Sequence, residues 1–359
     1  MEATGDSIPT IFGSERDARK AILVTFVAFL LAGFQCAIYG MTTVPVSEFF
    51  GKASSRIIFY DSFGMWGQIL AMASGGLLIS KFKSKNTLML AAMLMLGASA
   101  TIAIFPIIPI YVTMSLLCNM SVGFILVSCY YMTMGTVRER GQSEGKLAVL
   151  NVFFSAGFMI SPLVTGFVID AVSWRAVFWV IAALFAAFAI LLFLSNLSEL
   201  ASQTVKQKKN DENGSKRGFL SPPLVLTAIA FFLFVYVEQI IYNLNQPRMQ
   251  QDLGFDIRLV GAMMTTFSLS QLAGRLLLAK FLLPRVSIYK YIIIASLIFA
   301  ALLLVFVNLD TWQSVALCMV FLGVVNSCIY PSLLGYGLEQ IGHTSPQATS
   351  FMVTCGSIG

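Results

Sequence analysis

Glu238 stands in YVEQIIYNLN (residues 236–245), about 16 residues into a 25-residue apolar run. A carboxyl at that depth in an apolar medium is costly to keep ionised, so the chemistry open to it is to gain and lose a proton; the competing role is a packing bond to a neighbouring helix. Tyr242 follows four residues later, and the same interval separates Gln35 from Tyr39 and Asn326 from Tyr330. On a helix each such pair shares one face. Thr42 extends the first face and Asn245 the second, and Ser128 and Tyr131 of SCYY join the set. Amides beside aromatic rings suit a sugar ring or similar polyol, and equally suit hydrogen bonds between packed helices.

Three further kinds of charged position invite a role. Asp61 lies about five residues into an apolar run, either as a second proton carrier or as a solvated residue at a helix start. Arg275 interrupts another run about eight residues from its end, where it can snorkel, bond carbonyls of a neighbour or meet an anion; a structural or gating role is the expectation. Along the helix axis it is roughly 12 Å from the level of Glu238, which argues against a direct ion pair. Lys81, Lys83 and Lys85, with RER at 138–140, form basic loops that serve topology or act as gating pins, and His343 falls in a short turn. The six cysteines lie inside apolar runs without metal-like spacing. No metal, cofactor or catalytic constellation is expected, so the chemistry is that of binding and proton exchange.

The elements that must position these residues follow from composition. Hydrophobic residues make up 57% of the 359 and charged residues 11%, beyond what a soluble core of this size requires. Apolar runs of at least about 18 residues, enough to cross a roughly 30 Å hydrocarbon layer, mark ten complete spans and an eleventh cut short. They fall near 21–46, 56–80, 86–109, 111–137, 146–171, 174–198, 222–247, 257–283, 287–308 and 312–340, with the last beginning near 347. Backbone groups in lipid must be satisfied within the segment, and the runs lack two-residue alternation, so the fold class is an all-α polytopic membrane protein.

Basic residues give the orientation. With the N-terminus in the cytoplasm, 17 fall in inside loops and 5 outside, with Arg275 in a span. The net charge of +6 therefore reports topology and requires no nucleic-acid partner. The first run is too long for a signal-peptide core, so it is expected to remain as a membrane helix. The polar stretch 199–220 reads as a flexible cytoplasmic linker between an N-terminal six-helix half, 1–198, and an incomplete C-terminal half, 221–359.

The two halves repeat. At an offset of 199, GGLLISKF (75–82) meets GRLLLAKF (274–281), Ser128, Cys129 and Tyr131 of SCYY meet Ser327, Cys328 and Tyr330 of SCIY, and Gly157 meets Gly356. Extended, that register predicts a twelfth helix beyond Gly359, so the chain reads as a fragment. Arg275 replaces Gly76 and marks where the copies diverge.

Two equivalent six-helix halves, a basic linker and a glycine-then-basic element after the second span resemble the major facilitator superfamily. Within it, GGLLISKFKSKN, VLNVFFSAGFMISPLVTGF, GRLLLAKFL, IYPSLLGYGLEQIG and SFMVTCGSIG are similar to the fucose:proton symporter family and its TsgA-like relatives. That family shares the departure at Ser80, where the superfamily usually has aspartate. The resemblance implies alternating access around a site lined by the first, fourth, seventh and tenth spans. It also implies a proton-coupled symporter of a small polar solute, monomeric, in a cell membrane, with the bacterial inner membrane expected. The family's acids in the first and fourth spans are replaced here, Met41 standing near one position, so Glu238 or Asp61 would have to carry the proton, unless another ion or none is used. An efflux antiporter for drugs or metabolites is the alternative reading.

Overall fold

The computed structural model describes residues 12, 14–134, 136, 142–195, 222–281, 286–330, 332–333 and 336. The linker at 199–220, the RER loop, His343, Gly356 and the eleventh span lie outside them. Helices run α1 Glu15–Cys36, α2 Ile38–Phe50, α3 Ser54–Phe82, α4 Ser84–Ile104, α5 Ile108–Met134, α6 Gln142–Ala171 and α7 Trp174–Leu194. They continue as α8 Pro222–Asn243, α9 Asn245–Pro247, a π-helical turn Arg248–Asp252, α10 Ile257–Phe281, α11 Ile288–Val307 and α12 Trp312–Asn326.

Eight of the expected ten complete spans are long and apolar enough to cross a membrane among the described residues. The other two depart for different reasons. α10 has the length, at 25 residues, but Thr265, Thr266, Ser268, Ser270, Gln271 and Arg275 dilute its apolar character. α12 stops as regular helix after 15 residues, at Asn326, where a continuous span to about 340 was expected; turns at Ser327 and Cys328 intervene before helix resumes at Ile329. The first span is interrupted too, at Ala37, between α1 and α2. Large apolar side chains face outward along these helices, as hydrocarbon surroundings favour: Leu77, Phe193 and Leu304 are each 73% exposed.

The described chain forms two compact units. One holds α1, α3 from Phe59, α4, α5, α6 as far as Gly157, and α7. α4 packs on α5 and α7, and α1 on the same two helices. Phe29 sits edge-on to Tyr130 and Phe154, while Tyr111 and Trp174 meet Phe178. The other unit holds α2 with the start of α3, α6 from Phe158, and α8 onward. Its core is built of Phe231, Phe234, Met263, Phe267, Phe299, Met319 and Ile329. Within this unit Arg258 pairs with Asp170 and lies over the Phe167 ring, Gln251 donates to Ser54 Oγ at 2.7 Å, and Thr265 donates to the Met159 carbonyl at 3.0 Å.

The sequence repeat reappears as a packing repeat inside each unit. A Cβ on Gly75 would come within 3.2 Å of the Val127 side chain of α5. At the matching place a Cβ on Gly274 would come within 2.7 Å of Ser327 Oγ and 2.9 Å of the Val324 Cα and carbonyl oxygen. At Gly274 the facing backbone leaves no room for a side chain, while at Gly75 a Cβ would press tightly on the Val127 side chain.

Candidate functional site

The second unit gathers the polar residues. Glu238 and Tyr242 lie one turn apart on continuous α8, so their shared face is realised directly. Glu238 is 9% exposed, and its Oε1 accepts two amide donors: Asn326 Nδ2 at 2.6 Å and Gln271 Nε2 at 3.0 Å. Gln271 in turn accepts the Tyr242 hydroxyl at 3.0 Å through Oε1. A chain Asn326–Glu238–Gln271–Tyr242 thus joins α12, α8 and α10. The Tyr242 ring is wedged edge-on between Phe158 and Phe267, with centroids at 4.6 and 5.4 Å. In low-dielectric surroundings hydrogen bonds to a carboxylate are short and strong, which positions the acid.

Around this chain the other expected residues take distinct places. Asn245 is buried in α9, and neither of its amide atoms has a hydrogen-bond partner among the described residues. The next residue, Gln246, donates to the Tyr242 carbonyl at 2.7 Å and packs against Gly40 of α2. Tyr39 is buried on α2, and Tyr330 meets Phe231 edge-on at 4.7 Å. The pairs Gln35/Tyr39 and Asn326/Tyr330 straddle the interruptions at Ala37 and at Ser327–Cys328, so their four-residue spacing does not make a regular helical face. Arg275 donates through Nε to the Ser327 carbonyl at 2.9 Å. Glu238 makes no ion pair within 4 Å among the described residues, yet the charge of Arg275 acts on it through space.

These features sit on a helical membrane scaffold whose sequence matches the Major Facilitator Superfamily over residues 22–359. The chain belongs to the major facilitator superfamily. Members are transporters, and this chain is similar to protein TsgA of Escherichia coli O1:K1 / APEC, 24% identical over 354 residues, covering 95% of this chain and 85% of that protein. TsgA of Shigella flexneri is 23% identical with the same coverage. Among solved structures, a D-xylose-proton symporter superposes with a TM-score of 0.74 at 16% identity, covering 95% of this chain and 87% of that one. A mutant of the nucleoside transporter NupG does so with 0.71 at 14% identity, covering 95% and 88%. At these identities the structural likeness establishes the superfamily fold.

In the first unit of this superfamily member, Gln35 is buried on the last turn of α1, and Ser128 is fully buried on α5 with no hydrogen-bond partner for its hydroxyl among the described residues. Tyr131 is 42% exposed. Asp61 is half-buried. α3 begins at Ser54, two turns earlier, and Asp61 Oδ1 accepts the hydroxyl of Tyr111, itself 1% exposed, at 2.8 Å. Tyr111→Phe is expected to lower the thermal unfolding midpoint in detergent, by a free energy of about 1–3 kcal/mol for the lost donor; an unchanged midpoint would show that the bond contributes nothing. Lys81 is exposed, its Nζ 5.4 Å from the Phe82 ring centre, and Lys85 is half-buried in the first turn of α4.

Sequence reasoning missed Gln271, Gln246 and Tyr111. For Gln271 a signal existed: SQLAGR sets it one turn before Arg275 on the same helix. For Tyr111 there was none, since 50 positions separate it from Asp61.

Proposed function

We propose that the protein is a secondary transporter that carries a small polar, sugar-like solute together with protons by alternating access of its two halves. The observation that carries this reading is the buried carboxyl of Glu238, held by two neutral amides on neighbouring helices and, among the described residues, by no cation in an ion pair. A carboxyl held so can take a proton without stranding a partnered cation, as a carrier must. The adjoining Tyr242, Asn245, Asn326 and Tyr330 supply the aromatic and amide groups that a hydroxyl-rich ligand uses. The D-xylose-proton symporter and the nucleoside transporter among its structural neighbours point to the same class of solute. In this reading Gln35, Tyr39, Ser128 and Tyr131 complete the solute site and Asp61 is a secondary proton carrier. Lys81, Lys85 and Arg275 gate, the protein acts as a monomer in the bacterial inner membrane, and the N-terminus is cytoplasmic. The contacts of Arg258 with Asp170 and of Gln251 with Ser54 join parts of the two sequence halves, so rocking would have to break and remake them.

The test is uptake by proteoliposomes of the protein, with labelled fucose, xylose, galactose and a nucleoside, with and without an inward proton gradient. Accumulation of one of them that follows the gradient is the expected result. Gradient-independent uptake, or export of an amphipathic compound in exchange for protons, would overturn the symport reading.

A further inference from the structure

We infer that the interruption at Ser327–Cys328 is a hinge held by Asn326 and Arg275, and that the charge on Glu238 sets its stiffness through Asn326. This deepens the proposed function, because it rests on Glu238 exchanging a proton. Two neighbouring helices grip the last residue of α12 and the first of the interruption. From α8, Glu238 Oε1 holds the Asn326 side chain at 2.6 Å; from α10, Arg275 Nε holds the Ser327 carbonyl at 2.9 Å. Gly274 brings α10 close enough for the second grip, since any side chain there would strike Ser327 and Val324. The residue four after Ser327 is Pro331, which has no N–H to give that carbonyl, and the arginine supplies a donor instead.

The internal repeat provides a comparison within the same molecule. In the first half α5 runs unbroken from Ile108 to Met134 through the matching Ser128 and Cys129. There Gly76 occupies the Arg275 position with open space around its Cα, and Val127 occupies the Asn326 position. At the same offset Glu238 falls on Tyr39. The acid, the amide, the arginine and the interruption therefore occur together in one half and are together missing from the other. Such concerted departure from a repeat is what a working unit requires, whereas packing alone is already met by the glycine common to both.

The charge state matters because the Asn326 bond is charge-assisted while Glu238 is a carboxylate and roughly half as strong when the acid is neutral. The charged and titratable groups acting on Glu238 are Arg275 of α10 and Tyr242 of its own helix; Gln271 and Asn326 are neutral donors. A proton on Glu238 thus weakens its grip on Asn326, while the bond from Arg275 to the Ser327 carbonyl stays. One of the two grips loosens, and Ser327–Cys328 gains freedom to move.

Cys328 lies within the interruption and is 2% exposed, while Cys318, 6% exposed, lies in regular α12. The experiment compares two full-length chains, each with the other five cysteines replaced by alanine so that only Cys328 or only Cys318 remains, reacted with a neutral maleimide at one pH. Glu238→Gln is expected to speed labelling of Cys328 by at least about fivefold, because the Asn326 bond loses its charge assistance. Arg275→Gly and Asn326→Leu are expected to do the same, and Cys318 is expected to keep its rate in all three. Asn326→Leu cuts the grip without touching the acid, so it decides the matter if Glu238→Gln fails to fold. A Cys328 rate that stays within about twofold of the parent, or a Cys318 rate that rises equally, would overturn the hinge. Faster Cys328 labelling in a protein that shows no gradient-driven uptake would keep the hinge and sink the symport reading; Glu238-dependent uptake with unchanged labelling would do the reverse.

Discussion

Glu238→Gln protein in proteoliposomes is expected to lose gradient-driven accumulation of its solute while still exchanging labelled for unlabelled solute across the membrane. One proton moving down about 100 mV supplies about 2.3 kcal/mol, enough for an accumulation of roughly 50-fold. Glutamine keeps the shape of Glu238 and can still accept from Asn326 and Gln271, so the site should hold its geometry. What it cannot do is take up and release the proton, and the accumulation ratio should fall to about one, the value for uncoupled carriage. Exchange needs no net proton movement and should persist. If accumulation survives in Glu238→Gln, the proton travels by another group, with Asp61 the next to replace. If exchange is lost along with accumulation, Glu238 holds the solute itself and its role in coupling is not separable from binding.

The second large effect belongs to a residue that carries no charge. Gln271 lies between two buried groups, donating to Glu238 and accepting from Tyr242. Gln271→Leu removes both bonds and leaves the acid with one donor and the tyrosine hydroxyl with none from this side chain. An orphaned buried polar group costs about 1–3 kcal/mol, and one carrying charge costs more, so a combined loss of about 4 kcal/mol of stability is expected. Scanning for thermal unfolding in detergent should show it as a lower midpoint. The loss should be smaller at low pH than at neutral pH, since a neutral acid needs its donor less. A midpoint equal to the parent's at both pH values would mean that the Glu238–Gln271–Tyr242 chain does not contribute to the fold. Gln271→Glu sharpens the result: it places a second carboxyl beside Glu238, and the two like charges should make stability depend still more strongly on pH.

The sequence by itself determined that this is a helical membrane protein. Long apolar runs admit few other solutions where backbone groups find no water, and that constraint is local to each segment. It also exposed the internal repeat, because Gly75 and Gly274 each face a closely packed helix, a demand that favours the same small residue in both copies. It singled out Glu238, since a carboxyl in an apolar run is conspicuous without any knowledge of its neighbours. Tertiary structure alone decided who those neighbours are. Gln271 is 33 positions from Glu238, Asn326 is 88, and Tyr111 is 50 from Asp61. Amides and phenols are common enough in spans that no spacing rule selects the partner. The interruption in α12 left one legible mark, Pro331, which has no N–H for the Ser327 carbonyl, while the one at Ala37 left none, because hydrophobicity says nothing of where a segment's hydrogen bonds fail. At Ser327 the break is stabilised by a guanidinium from another helix, and a reading of α12 alone contains no trace of Arg275.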